Sequence, residues 1–85
     1  MDHGSPKWEG AGTIEARYAN CFKIGHNAFE FVIDCGQMTD ETDDLRLSAR
    51  MVTNPRSAKA LYQVLKQALD EYERTFGVIS YGKED

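Results

Sequence analysis

The sequence predicts an α+β fold, a three-stranded antiparallel meander (β-β-β-α) packed by one long C-terminal helix. Two patterns predict this fold. Between residues 13 and 52, three segments alternate apolar with polar residues, as strands with one apolar face do. Between residues 55 and 76, apolar residues recur every three or four positions, which is the period of an amphipathic helix. A chain of 85 residues is expected to form one domain around these elements.

The composition of the chain predicts how it is divided. Residues 1–12 are rich in Gly, Pro and charged residues, so we expect a disordered N-terminal arm there. Residues 13–79 carry all the periodic segments and are expected to form the single α+β domain. Residues 80–85 are expected to be a polar tail.

Charge and hydropathy narrow the class of protein. The net charge of −4 argues against a protein that coats nucleic acid, because that binding rests on Lys and Arg meeting phosphates. No apolar run approaches the roughly 20 residues of a membrane span. Residues 1–6 have no apolar signal core. We therefore expect a soluble, cytoplasmic protein with no membrane association, in which the two cysteines remain thiols.

Three strands are predicted over residues 13–24, 29–35 and 45–52, joined by a turn at 25–28 and a polar loop at 36–44. We call the side that the alternation makes apolar the inner face, and the opposite side the outer face. The predicted inner-face residues are Ile14, Ala16, Tyr18, Asn20, Phe22, Ile24, Phe29, Phe31, Ile33, Cys35, Leu45, Leu47, Ala49 and Met51.

The strands also suggest a register. A hairpin centred between residues 26 and 27 pairs Phe22 with Phe31 and sets Lys23 opposite Glu30. A second loop centred on residue 40 sets Glu30 opposite Arg50. The outer face is thus predicted to carry a charge ladder Lys23–Glu30–Arg50, because opposite charges across strands are favourable.

The long helix has both ends marked. Asn54 is a good N-cap, Pro55 suits the first helical position, and Gly77 suits the residue that ends a helix. Its apolar stripe consists of Ala58, Leu61, Tyr62, Leu65, Ala68, Leu69, Tyr72 and Phe76. Such a helix is not stable alone, so we expect this stripe to lie on the inner face of the sheet.

A homodimer is predicted from the dimensions of these elements. A helix of 22 residues is about 33 Å long, whereas seven paired strand residues span about 23 Å. Val64 also lies just off the edge of the stripe. The surplus of apolar helix suggests a second subunit, and a chain this small has a marginal core by itself.

Residues that carry chemistry are sparse. The alternation places Cys21 and Cys35 on opposite faces, where they cannot form a disulfide, and no C-x-x-C is present. His26 lies in a predicted turn, without the Cys/His spacing of a zinc site. No nucleophile elbow or phosphate-binding Gly-rich loop occurs. We therefore expect no catalytic, cofactor-binding or metal-binding residues and no enzymatic activity.

The outer face is the candidate interaction surface. Its candidate residues are Arg17, Cys21, Lys23, Val32, Arg46, Ser48 and Arg50. We expect this surface to bind a protein partner, in a chaperone-like or adaptor-like role. The alternative is a nucleic-acid-binding protein that uses the basic members of the set. Asn20 is a separate candidate: an amide on the apolar face must find hydrogen-bond partners, which suggests a structural role.

Several short runs resemble a known family. They include Tyr18-Ala19-Asn20, Gly25-His26-Asn27, Phe29-Glu30-Phe31, Asp34-Cys35-Gly36-Gln37 and Arg50-Met51-Val52. Between residues 18 and 79 the chain resembles a small prokaryotic family known as domain of unknown function 3467. The resemblance implies the fold and a soluble protein, with no established activity. In architecture alone, the chain is also similar to small sheet-plus-helix chaperones such as the SecB export chaperone.

Overall fold

A computed structural model describes residues 8–39 and 44–80 of the chain. A short 3-10 helix at Ala11–Thr13 precedes strands β1 (Cys21–His26), β2 (Phe31–Met38) and β3 (Leu45–Thr53), and the helix α1 (Pro55–Phe76) follows. The strands form one antiparallel sheet in the order β1-β2-β3. The α+β fold class, a three-stranded antiparallel meander followed by one long helix, is confirmed. Most of the predicted tail and most of the predicted arm lie outside the described residues.

Strand β1 begins later than predicted. Residues 11–13 form the 3-10 helix instead. Gly10 precedes this helix with a φ of 82°, which glycine adopts easily. Thr13 donates its N–H to the Gly10 carbonyl at 2.9 Å. Residues 14–20 lie outside any strand. In this register Asn20 and Ala19 lie opposite Gln37 and Met38, where β2 ends, so the residues before Ala19 have no β2 residue to pair with.

The turn of the first hairpin lies two residues later than predicted, which shifts every β1–β2 pair by four residues. The side-chain oxygen of Asn27 accepts hydrogen bonds from the N–H groups of Phe29 and Glu30 at 2.8 and 2.9 Å. This Asx-type turn fixes the reversal at residues 27–30. Phe22 therefore pairs with Cys35 rather than with Phe31. Because four is an even number, the shift leaves every residue of β1 on its predicted face.

A β-bulge in β3 overturns part of the predicted inner face. Cys35 pairs with Ala49, but Gly36 pairs with Leu47, so Ser48 is the extra residue. Beyond the bulge the alternation is inverted: Leu45 and Leu47 lie on the outer face and Arg46 lies on the inner face. The inner face of the sheet therefore consists of Phe22, Ile24, His26, Phe31, Ile33, Cys35, Gln37, Arg46, Ala49, Met51 and Thr53.

Glycine is required where the bulge brings β2 and β3 close together. A β-carbon on Gly36 would lie 3.0 Å from the carbonyl oxygen of Arg46 and 3.1 Å from Cδ1 of Leu45. Gly36 is itself buried. The close approach of the two backbones explains why the strand continues through residue 36, where the sequence suggested the start of a loop.

The helix has the predicted bounds. Asn54 caps it by accepting a hydrogen bond from the N–H of Ser57 at 2.7 Å, and Pro55 is its first residue. Gly77 ends it with a φ of 107° and donates its N–H to the carbonyl of Glu73. The Glu73 carboxylate also accepts the N–H of Ile79 at 2.9 Å, which fixes the chain just after the helix.

The expected covering of the sheet by its own helix is not met. No residue of α1 is buried, and the large side chains of its apolar stripe are all at least two-fifths exposed. Only the first two turns approach the sheet, where Pro55, Ala58 and Tyr62 line a shallow cleft with Phe31. The physical reason is the single residue between β3 and α1, since connections between strands and helices usually need two to six residues.

The chain consequently buries little apolar surface. Among the described residues no hydrophobic side chain is buried, and no residue of α1 is buried. Within the described part of the chain, sheet and helix are therefore folded as elements that do not share a core.

Candidate interaction surfaces

The outer face of the sheet is organised by a charge ladder. Asp34 lies in the middle strand between Lys23 and Arg50. Arg50 binds it with two parallel hydrogen bonds, 2.7 Å from Nε to Oδ1 and 3.1 Å from Nη2 to Oδ2. The predicted ladder Lys23–Glu30–Arg50 was wrong in its central residue. The four-residue shift of register moves Asp34 into the position expected for Glu30.

The ladder favours the ionised form of its carboxylate. The hydrogen bonds from Arg50 hold the pKa of Asp34 below its ordinary value, and the positive charges of Arg50 and Lys23 act in the same direction. Partial desolvation opposes them, since only 18% of the Asp34 side chain is exposed. The pKa of Arg50 is correspondingly raised by Asp34. Both groups therefore remain charged and paired at neutral pH.

An apolar cleft lies beside this ladder. It has a volume of about 250 Å³, and it is lined by Cys21, Phe22, Lys23, Asp34, Gly36, Leu45, Leu47 and Arg50. Leu45 and Leu47 are each more than half exposed, and they reach this face only because of the bulge at Ser48. A regular strand would place both leucines on the inner face, so the sequence analysis did not predict them here. The one signal in the sequence was Gly36, because its lack of a side chain allows the close approach of β2 and β3 at the bulge.

The predicted interaction residues do not all lie together. The register places Cys21, Lys23, Val32 and Arg50 on the outer face, as expected, and Ser48 half-buried at the bulge. Arg46, expected beside Arg50, is instead on the inner face next to Gln37. Arg17 precedes β1 and lies 3.7 Å from the carboxylate of Glu15. The four cations expected to form a basic surface are thus divided between two faces and a connecting segment.

Asn20 extends the sheet by one rung. Its backbone N–H donates to the Gly36 carbonyl at 2.9 Å. Its side-chain amide donates to the Met38 carbonyl at 3.3 Å, and its side-chain oxygen accepts the Met38 N–H at 3.0 Å. The side chain thereby replaces the backbone of a further strand residue. This geometry places Asn20 in a structural position at the end of β2.

The second exposed apolar surface comprises the inner face of the sheet and the stripe of α1. On the sheet, Phe22 is 64% exposed, and Ile24 and Met51 are more than half exposed. The rings of His26 and Phe31 stack across the strands at 5.2 Å. On the helix, Tyr72 and Phe76 are in ring contact at 4.9 Å, and Leu65 is 54% exposed. Exposed apolar areas of this kind mark interaction sites.

Groups that bind metals or form disulfides are not gathered at either surface. Cys21 and Cys35 are both unbonded, and the register places them on opposite faces. Across residues 8–39 and 44–80, no three His, Cys, Asp or Glu side chains are placed to hold a metal ion. What the described surfaces offer is apolar contact and fixed charge.

These features define a small α+β domain with two exposed apolar surfaces. The chain belongs to a family described as "Protein of unknown function (DUF3467)", whose profile matches residues 6–81, and the resemblance noted from the sequence is confirmed. Neither the curated proteins nor the solved structures contained a match. In the described part of the chain, neither helix combines the length and the hydropathy of a membrane-crossing segment.

Proposed function

We propose that this chain is a non-enzymatic interaction domain, a homodimer that binds a protein partner through the cleft on the outer face of its sheet. The observation that carries the proposal is the placement of Leu45 and Leu47 beside the Lys23–Asp34–Arg50 ladder. An exposed apolar cleft bordered by fixed charges has the chemistry of a recognition site for a protein.

The cleft also indicates what kind of segment it accepts. Leu45 and Leu47 provide an apolar wall for an aliphatic or aromatic side chain. Because Arg50 already binds Asp34 through two hydrogen bonds, Lys23 is the cation best placed to meet an acidic group of the partner. A partner segment with an apolar side chain next to an acidic one would satisfy both requirements.

An adaptor-like or chaperone-like role in the cytoplasm fits this surface. The two cysteines are unbonded thiols, as proteins of a reducing compartment usually have. The alternative of nucleic-acid binding receives no support from the geometry. Arg50 is neutralised by Asp34, and Arg46 lies on the opposite face of the sheet.

The test is capture of a partner by the tagged full-length chain from a lysate of its source cells, followed by binding measurements with the purified partner. Leu47→Asp places a charge in the cleft and is expected to weaken that binding at least tenfold. Gln63→Asp, on the polar side of α1, is the matched control and should leave binding unchanged.

Two results would contradict the proposal. The first is a partner that binds Leu47→Asp as tightly as the unsubstituted chain. The second is the absence of any captured protein together with a salt-sensitive shift of DNA or RNA in a gel, which would favour the nucleic-acid alternative.

A further inference from the structure

The connection between β3 and α1 prevents the helix from folding back over its own sheet. A single residue, Asn54, separates Thr53 from Pro55. The proline that follows restricts Asn54 to extended backbone, and its observed φ of −88° and ψ of 167° are of that kind. The side chain of Asn54 is also engaged in capping the helix. The chain therefore continues away from the sheet instead of reversing.

The two parts of the second apolar surface, the inner face of the sheet and the stripe of α1, are consequently left without a partner in the single chain. The helix, with 22 residues, is about 33 Å long. The longest strand, β3, has nine residues and spans about 30 Å. The surfaces match in length, which removes the mismatch on which the sequence-based expectation of a dimer rested. The exposure of the inner face and of the helix stripe supports a second subunit more directly than the mismatch did.

We infer that the dimer forms by reciprocal exchange, in which α1 of each copy lies across the inner face of the other copy's sheet. This inference rests on the proposed homodimer and specifies how that dimer is built. It places Leu65 and its stripe against the region of Phe22, Ile33 and Met51 in the second copy. A two-fold axis relates the two contacts, so one type of contact buries both surfaces.

The exposed area favours a second copy over a foreign helix. Nine large apolar side chains of the inner face and the helix stripe are 43–72% exposed: Phe22, Ile24, Met51, Leu61, Tyr62, Leu65, Leu69, Tyr72 and Phe76. Together they present an area comparable to the roughly 800 Å² that each partner buries in a standard interface. A foreign helix on the inner face would still leave the stripe of α1 in water, whereas a second copy buries both at once.

The test is cross-linking between two differently tagged forms of the full-length chain. In a Cys21→Ser, Cys35→Ala background, one form carries Leu65→Cys on the helix stripe. The other form carries Ile33→Cys at the centre of the inner face. The two are unfolded together, refolded as a mixture and treated with a short bis-maleimide. We expect a cross-linked product of mixed size to predominate.

Gln67→Cys is the control for the helix, because it lies on the side opposite Leu65. It should give at least fivefold less mixed product. A single chain that carries both Leu65→Cys and Ile33→Cys should cross-link mainly between copies. Cross-linking within that chain, or equal yields from the two helix positions, would overturn the inference of reciprocal exchange.

Light scattering of the unsubstituted chain keeps the inference falsifiable if the cysteine-free background does not fold. A mass of two chains is expected, and a monomer at micromolar concentration would overturn both the exchange and the proposed dimer. A dimer without mixed cross-links would overturn the exchange alone. The effect of Leu47→Asp on partner binding is measured separately from both results. Failure of the dimer, of the exchange and of the outer-face binding site can therefore be told apart.

Discussion

Truncation of Phe22 to alanine should strongly weaken the dimer that we infer. Phe22 lies on the inner face of β1 and is 64% exposed in the single chain. An aromatic side chain has an area of roughly 200 Å², so about 130 Å² of Phe22 remains to be buried by the second copy. At about 25 cal/mol per Å², that burial stabilises the dimer by about 3 kcal/mol per copy.

The effect counts twice in a symmetric dimer. Two copies of Phe22→Ala remove about 6 kcal/mol, and even half of that value raises the dissociation constant about 100-fold, since 1.4 kcal/mol is a factor of ten. Sedimentation equilibrium over a dilution series measures this constant directly. The unfolding temperature of the variant should also depend more steeply on protein concentration.

Val52→Ala is the matched control for that measurement. Val52 is similarly exposed, but it lies on the outer face, so its truncation should change the dissociation constant by less than threefold. Equal constants for Phe22→Ala and the unsubstituted chain would refute the assignment of the inner face to the dimer. An equally large effect of Val52→Ala would show that the two faces are not distinguished in this way.

Three further substitutions or conditions test the fold itself. The hydrogen bonds from Arg50 hold the pKa of Asp34 in the folded chain below its ordinary value of about 3.9. The ionised Asp34 therefore stabilises the fold fully above that ordinary pKa, and this stabilisation is lost as the pH falls through the lower folded-state pKa. Asp34→Asn should flatten this acid limb in urea unfolding measured from pH 6 to pH 2, and an unchanged limb would contradict the depressed pKa. Gly36→Ala should lower the free energy of unfolding by about 1–3 kcal/mol, because the added β-carbon would lie 3.0 Å from a backbone oxygen of β3. Gly25→Ala is the control and should be nearly neutral, because nothing lies within 4 Å of its β-carbon. Equal denaturation midpoints for the two variants would rule out the close approach of β2 and β3 at Gly36. Asn54→Ala should lower the free energy of unfolding by about 1 kcal/mol, because it removes the side chain that caps α1. Asn54→Asp is the conservative control, since its carboxylate can accept the same hydrogen bond. Unchanged helicity and stability of Asn54→Ala would show that the cap does not stabilise the helix.

The helix was the element best predicted from the sequence, because its signals are local. Asn54, Pro55 and Gly77 each act within one turn of the residue concerned, and the observed bounds match the predicted ones. The existence and order of the strands followed from alternation in the same way. The register of the first hairpin did not follow, since it depends on the turn. The hydrogen bonds that the Asn27 side chain accepts set the reversal at residues 27–30, whereas the predicted hairpin was centred between residues 26 and 27.

The candidate surfaces were predicted only in part. The sequence indicated that Arg50 would pair with an acid across the sheet, but the shift of register made that acid Asp34. It did not reveal that Leu45 and Leu47 face outward, because a bulge leaves no trace in the alternation of a short strand. The separation of helix from sheet was not predicted, although its cause is local: a helix cap followed by proline, directly after a strand, leaves no residues for a reversal.

The single-residue joint at Asn54 makes the far end of the helix sensitive to small rotations. Because α1 is a rigid rod of about 33 Å, a tilt of about 10° at its start carries the opposite end through about 6 Å. Phe76 lies at that end and Gly77 follows it. A change of twist near Thr53 that is too small to disturb any strand pairing would therefore be magnified into a displacement as wide as an aromatic ring.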